Sequence, residues 1–189
     1  MAGRLVAVRH GETEWSLSGR HTGRTDVPLL EEGREKAKKV GDALRGRSFA
    51  LVLTSPLVRA RDTAAAAGFP DAEVMRDLRE WDYGDYEGRT TSEIRKSRPG
   101  WLLWNDGVPN GESITQVAAR ADRVIQLARS TDGDVLVFAH GHILRVLAAR
   151  WLEEDPRFGR HLLLAPATLS ILGREREEPA LDTWNAPVL

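Results

Sequence analysis

The chain contains no cysteine, which excludes disulfides, thiol nucleophiles and cysteine-ligated zinc together. Long apolar runs are also missing. No stretch approaches the ~18–20 residues that span a bilayer, and residues 5–8 are too few for a signal-peptide core, so the expected location is cytoplasmic. Neither sign of charge dominates: the net charge is −1, with basic residues scattered along the whole length. That balance predicts no nucleic-acid partner and no anionic membrane partner, and makes any affinity for anions a local property. Lysine is scarce, at positions 36, 38, 39 and 96 only; the other 23 basic residues are arginine, so no arginine is informative by itself. Repeats, low-complexity tracts and linker-like stretches are absent, and the 189 residues read as a single domain.

What is present is an ordinary globular mixture, 41% hydrophobic and 29% charged. Apolar strand-like runs alternate with helical patterns. Strands are predicted at 5–8, 51–53 and 135–139, with a final pair near 168–172 and 180–183. A polar, glycine-containing loop is expected from the first strand through Pro28, followed by a helix with Ala37, Val40, Gly41 and Leu44 at the 3.6-residue period. Ser55-Pro56 reads as an N-cap with proline at the first helical position, opening a helix to about residue 67. Capping boxes are read at Thr90/Glu93 and Ser113/Gln116, the second before a strong apolar stripe from Ile114 to Ala128. A further helix is expected over 143–151. Three crossover units imply an α/β fold, a three-layer α/β/α sandwich with a mostly parallel sheet.

Two histidines end two of the strands. Arg9-His10-Gly11-Glu12-Thr13 follows the first apolar run, and His140-Gly141-His142 follows Val135-Leu136-Val137-Phe138-Ala139. The C-terminal mouth of a parallel sheet is where open α/β folds place their chemistry, so the two histidines are expected in one site. Phosphoryl transfer needs cations around the equatorial oxygens and a nucleophile in line. Arg9, Arg59 and a protonated His140 fit the first requirement, with Arg59 expected one turn into its helix. His10 fits the second if a backbone carbonyl fixes one ring nitrogen and leaves the other with its lone pair. A leaving alkoxide must also take up a proton, and Glu80, next to Trp81, is a carboxyl whose pKa an aromatic neighbour can raise. Starting protonated, it predicts activity favoured at mildly acidic pH.

These residues resemble the histidine phosphatase superfamily, the phosphoglycerate mutase-like proteins. The resemblance runs through Val8-Arg9-His10-Gly11-Glu12-Thr13, Thr54-Ser55-Pro56-Leu57-Val58-Arg59-Ala60, Leu78-Arg79-Glu80-Trp81-Asp82-Tyr83-Gly84, Asn110-Gly111-Glu112-Ser113 and Phe138-Ala139-His140-Gly141-His142. It implies a phosphoglycerate mutase-like fold, a His10 nucleophile that becomes phosphorylated, a phosphate pocket of Arg9, Arg59 and His140, and a proton donor at Glu80. Residues 19–26 and 80–88 are most similar to the phosphatase branch, especially sedoheptulose-bisphosphatase-like and acid-phosphatase-like members. The mutases carry Arg where this chain has Trp81 and Lys where it has Thr91, and their basic groups hold a second anionic end of the substrate. Their loss favours hydrolysis over mutase action. Ser16 stands where mutases usually have Asn, and His142 is likewise often Asn there.

The expectation is therefore a metal-independent phosphatase of small phosphomonoesters, sugar phosphates or bisphosphates among them, with no cofactor and a small phosphorylated metabolite as its partner. Ser16, His21, Thr22, Gly23, Tyr83 and His142 are the expected substrate-binding residues, with the Trp81 and Trp104 rings beside them. A metal site is not expected: the chain has five histidines, no His-Glu-x-x-His helix and no second acidic cluster at fitting spacing. Two rivals remain, a cofactor-dependent phosphoglycerate mutase and a non-catalytic binding protein on the same fold. The sequence leaves the natural substrate and the oligomeric state open.

Overall fold

A computed structural model describes residues 3–188. Strand β1 (Leu5–Arg9) is followed by helices α1 (Glu14–Ser18) and α2 (Glu31–Leu44), strand β2 (Leu51–Thr54), helix α3 (Val58–Ala66) and the two-residue strand β3 (Glu73–Val74). Three more helices, α4 (Thr91–Ser97), α5 (Leu103–Asp106) and α6 (Ile114–Ser130), precede strand β4 (Val135–Ala139), helix α7 (Gly141–Trp151) and strands β5 (Thr168–Glu175) and β6 (Glu178–Pro187). The strands form one sheet in the order β3-β2-β4-β1-β5-β6. β3, β2, β4 and β1 are mutually parallel, whereas β5 runs antiparallel to β1 and β6 antiparallel to β5. A parallel pair needs a crossover, but β5 and β6 are joined by Arg176-Glu177 alone, a hairpin connection with Arg176 at φ 58°.

Alternation along the central strands sorts the core into two layers. Leu5, Ala7, Val135 and Val137 face one cluster with Val117, Ala121 and Val124 of α6 and Leu144 and Leu147 of α7. Val6, Val8, Leu136 and Phe138 face the other, with Val40 and Leu44 of α2 and Ala64 of α3. Both faces of β1 and β4 are therefore buried, which is why their sequences are continuous apolar runs. None of the helices is long and apolar enough to cross a membrane, among the described residues.

The structure departs from the sequence expectation at two places near the sheet's C-terminal edge. The loop expected up to Pro28 contains α1, opened by a Thr13/Ser16 capping box and closed by Gly19 in the left-handed conformation at φ 71°. Helix α3 begins at Val58, with Leu57 and not Ser55 at its N-cap position. The Ser55 hydroxyl faces His140 Nε2 at 2.8 Å, so it is committed to the sheet edge as well as to the Leu57 amide at 3.3 Å. Arg59 is consequently the second residue of α3 and does not stand one turn into it.

Candidate active site

Register brings the two strand-end histidines together. β1 and β4 pair with Arg9 opposite Ala139, and the His10 amide donates to the Ala139 carbonyl at 3.0 Å. The two imidazoles that follow have ring centroids 5.1 Å apart. Ser55, past the end of β2, is tied to the same edge by its amide, which donates to the Phe138 carbonyl at 2.9 Å.

His10 is buried, and its Nδ1 lies 2.7 Å from the Gly11 carbonyl. A carbonyl only accepts, so Nδ1 carries the proton and Nε2 keeps its lone pair. Burial, then the charges of Arg9 and Arg59, push the ring's pKa well below the ordinary histidine range and keep it neutral. His140 differs from expectation. Arg59 Nε donates to its Nδ1 at 3.1 Å, which leaves Nε2–H to donate to Ser55 Oγ. Burial and then the Arg59 charge hold its pKa well below the usual range, so this ring is a neutral group, not the protonated cation read from sequence.

The two expected arginines do different things. Arg9 donates through Nη1 to the Leu164 carbonyl, while its buried Nε has no partner among the described residues. Its guanidinium packs on Gly141, where an added Cβ would come within 3.4 Å of the guanidinium carbon, so a side chain at 141 would crowd it. Arg59 is fully buried and does not line the cavity described below. Besides His140, it donates to the carbonyls of Thr25 at 2.9 Å, Thr22 at 2.9 Å and Gly23 at 3.0 Å. It pins the loop after α1 against the back of the histidine pair.

Glu80 sits at the N-terminus of α7. Its Oε2 accepts from the His142 amide at 2.9 Å, and Oε1 accepts from the amides of Ile143 at 2.9 Å and Trp81 at 2.8 Å. Two of these donors are first-turn amides with no partner inside the helix, so the carboxyl serves as their cap. Trp81 does not stand beside the reacting groups as its neighbouring position suggested. Its buried indole donates to the Glu112 carbonyl at 2.8 Å and meets Trp104 edge-on. The loop carrying Glu80 is clamped from α6. Arg120 donates to both Glu112 carboxylate oxygens, at 2.8 and 2.7 Å, and to the carbonyls of Asp77 and Arg79.

These groups open into a cavity of about 320 Å³ lined by Arg9, His10, Ser16, His21, Thr22, Glu80, Tyr83 and His142, with Arg20, Thr91, Trp101, Trp104, Arg145 and Leu164 among the other walls. Of the expected substrate-binding residues, only Gly23 lies elsewhere, its amide held by the Glu87 carboxylate at 2.9 Å. Ser16 lines the cavity, but its hydroxyl already donates to the Thr13 carbonyl at 2.9 Å. Tyr83 and His142 are linked, phenol to Nδ1, at 2.7 Å. Burial keeps both neutral, raising the phenol and lowering the imidazole. His21 Nδ1 is fixed by the Arg89 carbonyl at 2.7 Å, so that ring too presents Nε2. Sequence reasoning missed Arg145, Arg20 and Leu164 in the lining, and Ser55, Thr63 and Arg120 behind it. Thr63 accepts from the Gly11 amide at 3.0 Å and donates to the Arg59 carbonyl at 2.7 Å. The one signal for Arg145 is its place on a helix that starts beside His140, and that says little in a chain with 23 arginines.

The chain is similar to known proteins along most of its length. The sequence profile of the histidine phosphatase superfamily (branch 1) matches residues 5–187. An acid phosphatase of Mycobacterium tuberculosis is 44% identical, over 91% of this chain and 87% of its own length. A sedoheptulose 1,7-bisphosphatase of Saccharomyces cerevisiae is 40% identical, over 78% of this chain and 67% of its own. The solved structure of an open reading frame from Mycobacterium tuberculosis superposes with a TM-score of 0.94 at 41% identity, covering 100% of both chains.

Proposed function

The chain belongs to the histidine phosphatase superfamily, and from that premise we propose that it hydrolyses small phosphomonoesters without a metal, through a phosphohistidine formed on His10. The observation that carries this reading is the His10 ring itself: neutral, with Nδ1 tied to the Gly11 carbonyl and Nε2 left to attack, next to an Arg9 whose Nε has no partner among the described residues. In the first step the Nε2 lone pair forms the N–P bond as the bond from phosphorus to the leaving oxygen breaks. Glu80, which lines the cavity, gives that oxygen its proton from Oε2, which accepts one amide where Oε1 accepts two. In the second step water attacks phosphorus, its proton returns to Glu80, and the N–P bond breaks to release inorganic phosphate. Arg9 meets the phosphoryl oxygens. Arg59 adds its charge from behind, and neutral His140 is held by Arg59 and Ser55 so that its ring backs His10.

Ser16, His21, Thr22, Tyr83 and His142 position the organic part of the substrate, with Trp104 as a wall. The substrates of this reading are phosphorylated metabolites, sugar phosphates and bisphosphates among them, as the names of the acid phosphatase and bisphosphatase relatives suggest. The same reading includes a single domain over residues 1–189 and a cytoplasmic location, where such metabolites are found. Hydrolysis of p-nitrophenyl phosphate in excess chelator, by the wild type and His10→Ala side by side, tests it. Turnover should survive chelation and be lost in the variant while the fold, followed by circular dichroism, is kept. Chelator-sensitive turnover, or full turnover by His10→Ala, would overturn the mechanism.

A further inference from the structure

Two consecutive side chains of β6 reach the same loop, which a regular strand does not allow. Leu169 of β5 lies opposite Ala186 and Ile171 opposite Thr183, so Ser170 alone faces both Trp184 and Asn185. That is a β-bulge, and it suspends the alternation that sends neighbouring side chains to opposite faces. Asn185 adopts the left-handed conformation at φ 56°, a region that asparagine tolerates better than most residues, and its amide donates to the Ser170 hydroxyl at 3.0 Å. With the strand turned in this way, the Trp184 indole donates to the Leu163 carbonyl at 2.6 Å, and Asn185 Oδ1 accepts from the Ala165 amide at 2.7 Å. Residues 163–165 belong to the segment that leads into β5 and lines the cavity through Leu164.

The Leu164 carbonyl and the Ala165 amide are the two ends of one planar peptide group. Among the described residues, the carbonyl is the only acceptor of a hydrogen bond from the Arg9 guanidinium, and Asn185 and Arg9 are the only partners of that peptide group. Asn185 thus heads a chain that runs from its Oδ1 through the 164–165 peptide to Arg9 Nη1, and hydrogen bonds aligned through one amide polarise each other. The other end of the segment is fastened to the end of β1: the buried Ala167 amide is shared by the carbonyls of Arg9 and His10, each at 3.1 Å. A guanidinium is rigid and flat, so fixing Nη1 also fixes where its other N–H groups point. We propose that Asn185 is a positioning residue for the transferred phosphoryl group, setting the plane of the 164–165 peptide and through it the direction in which Arg9 meets the phosphoryl oxygens. This rests on the phosphatase reading above, which makes Arg9 the ligand of those oxygens.

The test measures the Kd of orthovanadate by calorimetry, beside kcat/KM for p-nitrophenyl phosphate, in Asn185→Gly and Asn185→Asp. Glycine accepts the positive φ, so the first variant keeps the bulge without strain and loses only the acceptor. It should raise the Kd by roughly tenfold, the scale of one hydrogen bond to a charged group, and lower kcat/KM to a similar extent. Asn185→Asp retains a carboxylate oxygen at the same place and should bind orthovanadate within about twofold of the wild type. A lysine at position 9 has no plane to orient, so in an Arg9→Lys background Asn185→Gly should change the Kd by less than about twofold. That non-additivity is a readout that a merely structural role does not produce. An unchanged Kd in Asn185→Gly, an Asn185→Asp variant as impaired as Asn185→Gly, or an equal loss in the Arg9 and Arg9→Lys backgrounds would overturn the assignment. Those outcomes with p-nitrophenyl phosphate still turned over by the wild type leave the phosphatase reading standing. A wild type that neither binds orthovanadate nor turns over the ester brings down both.

Discussion

At the scale of single residues, the protonation of two imidazoles governs what this site does. A protonated His10 has no lone pair at Nε2 and cannot attack phosphorus. Burial and two guanidinium charges hold its pKa well below the ordinary 6.5, so the neutral ring persists as pH falls through that value. The acid limb of kcat/KM must therefore lie below the usual histidine range, and p-nitrophenyl phosphate turnover should not decline between pH 7 and pH 6. A limb centred near 6.5 would mean that His10 titrates as a solvated imidazole, contrary to its burial. The carbonyl clamp on His10 was legible in the sequence, because the chemistry requires one fixed nitrogen and the next backbone carbonyl can supply it. The charge on His140 was not. Its partner Arg59 is 81 positions away, and only the packing of α3 against the sheet edge shows that a guanidinium donates to Nδ1 and excludes the proton.

At the scale of elements, α6 does more than pack. Ser113 and Gln116 cap it reciprocally, and Arg120, two turns in, reaches the loop that carries Glu80 and also the Glu112 carboxylate. The Arg120–Glu112 pair is mostly buried, and the Glu112 side chain in turn accepts the Asp82 amide at 3.0 Å. Removing the guanidinium leaves the largely buried Glu112 carboxylate without its counter-charge and the Asp77 and Arg79 carbonyls without that donor, a loss of about 3–5 kcal/mol. Arg120→Ala should unfold in urea with that penalty and, where still folded, lose kcat more than it raises KM, because Glu80 loses its support. A penalty under ~1 kcal/mol with unchanged kcat would show that the loop holds itself. The capping boxes of α4 and α6 were readable because their residues are adjacent and their geometry is local. Helix α1 was not, since none of its five residues is buried and no apolar stripe marks it. The start of α3 was misplaced because the hydroxyl that fits a cap, on Ser55, faces His140 across the sheet edge.

At the scale of the whole molecule, the order β3-β2-β4-β1-β5-β6 sets the site at the C-terminal ends of β1, β4 and β2, so that its residues are assembled by long-range pairing. Crossover units were legible from alternating strand and helix patterns. The insertion of β4 between β1 and β2 was not, since strand order depends on which faces bury each other and not on neighbouring sequence. A site built in this way couples ligand binding to the stability of the fold: an oxyanion at Arg9 and His10 bridges strand ends and α7, and binds only when they are assembled. Orthovanadate or inorganic phosphate at about a hundred times its Kd should then add ~2.7 kcal/mol, and for a chain of this size raise Tm by roughly 5–10 °C. Arg9→Ala removes the cation with the free Nε–H, and the shift should fall to a small fraction of that in the wild type at the same anion concentration. An equal shift in both proteins would place the stabilising anion elsewhere on the surface, and no shift in the wild type would mean that the pocket does not take an oxyanion.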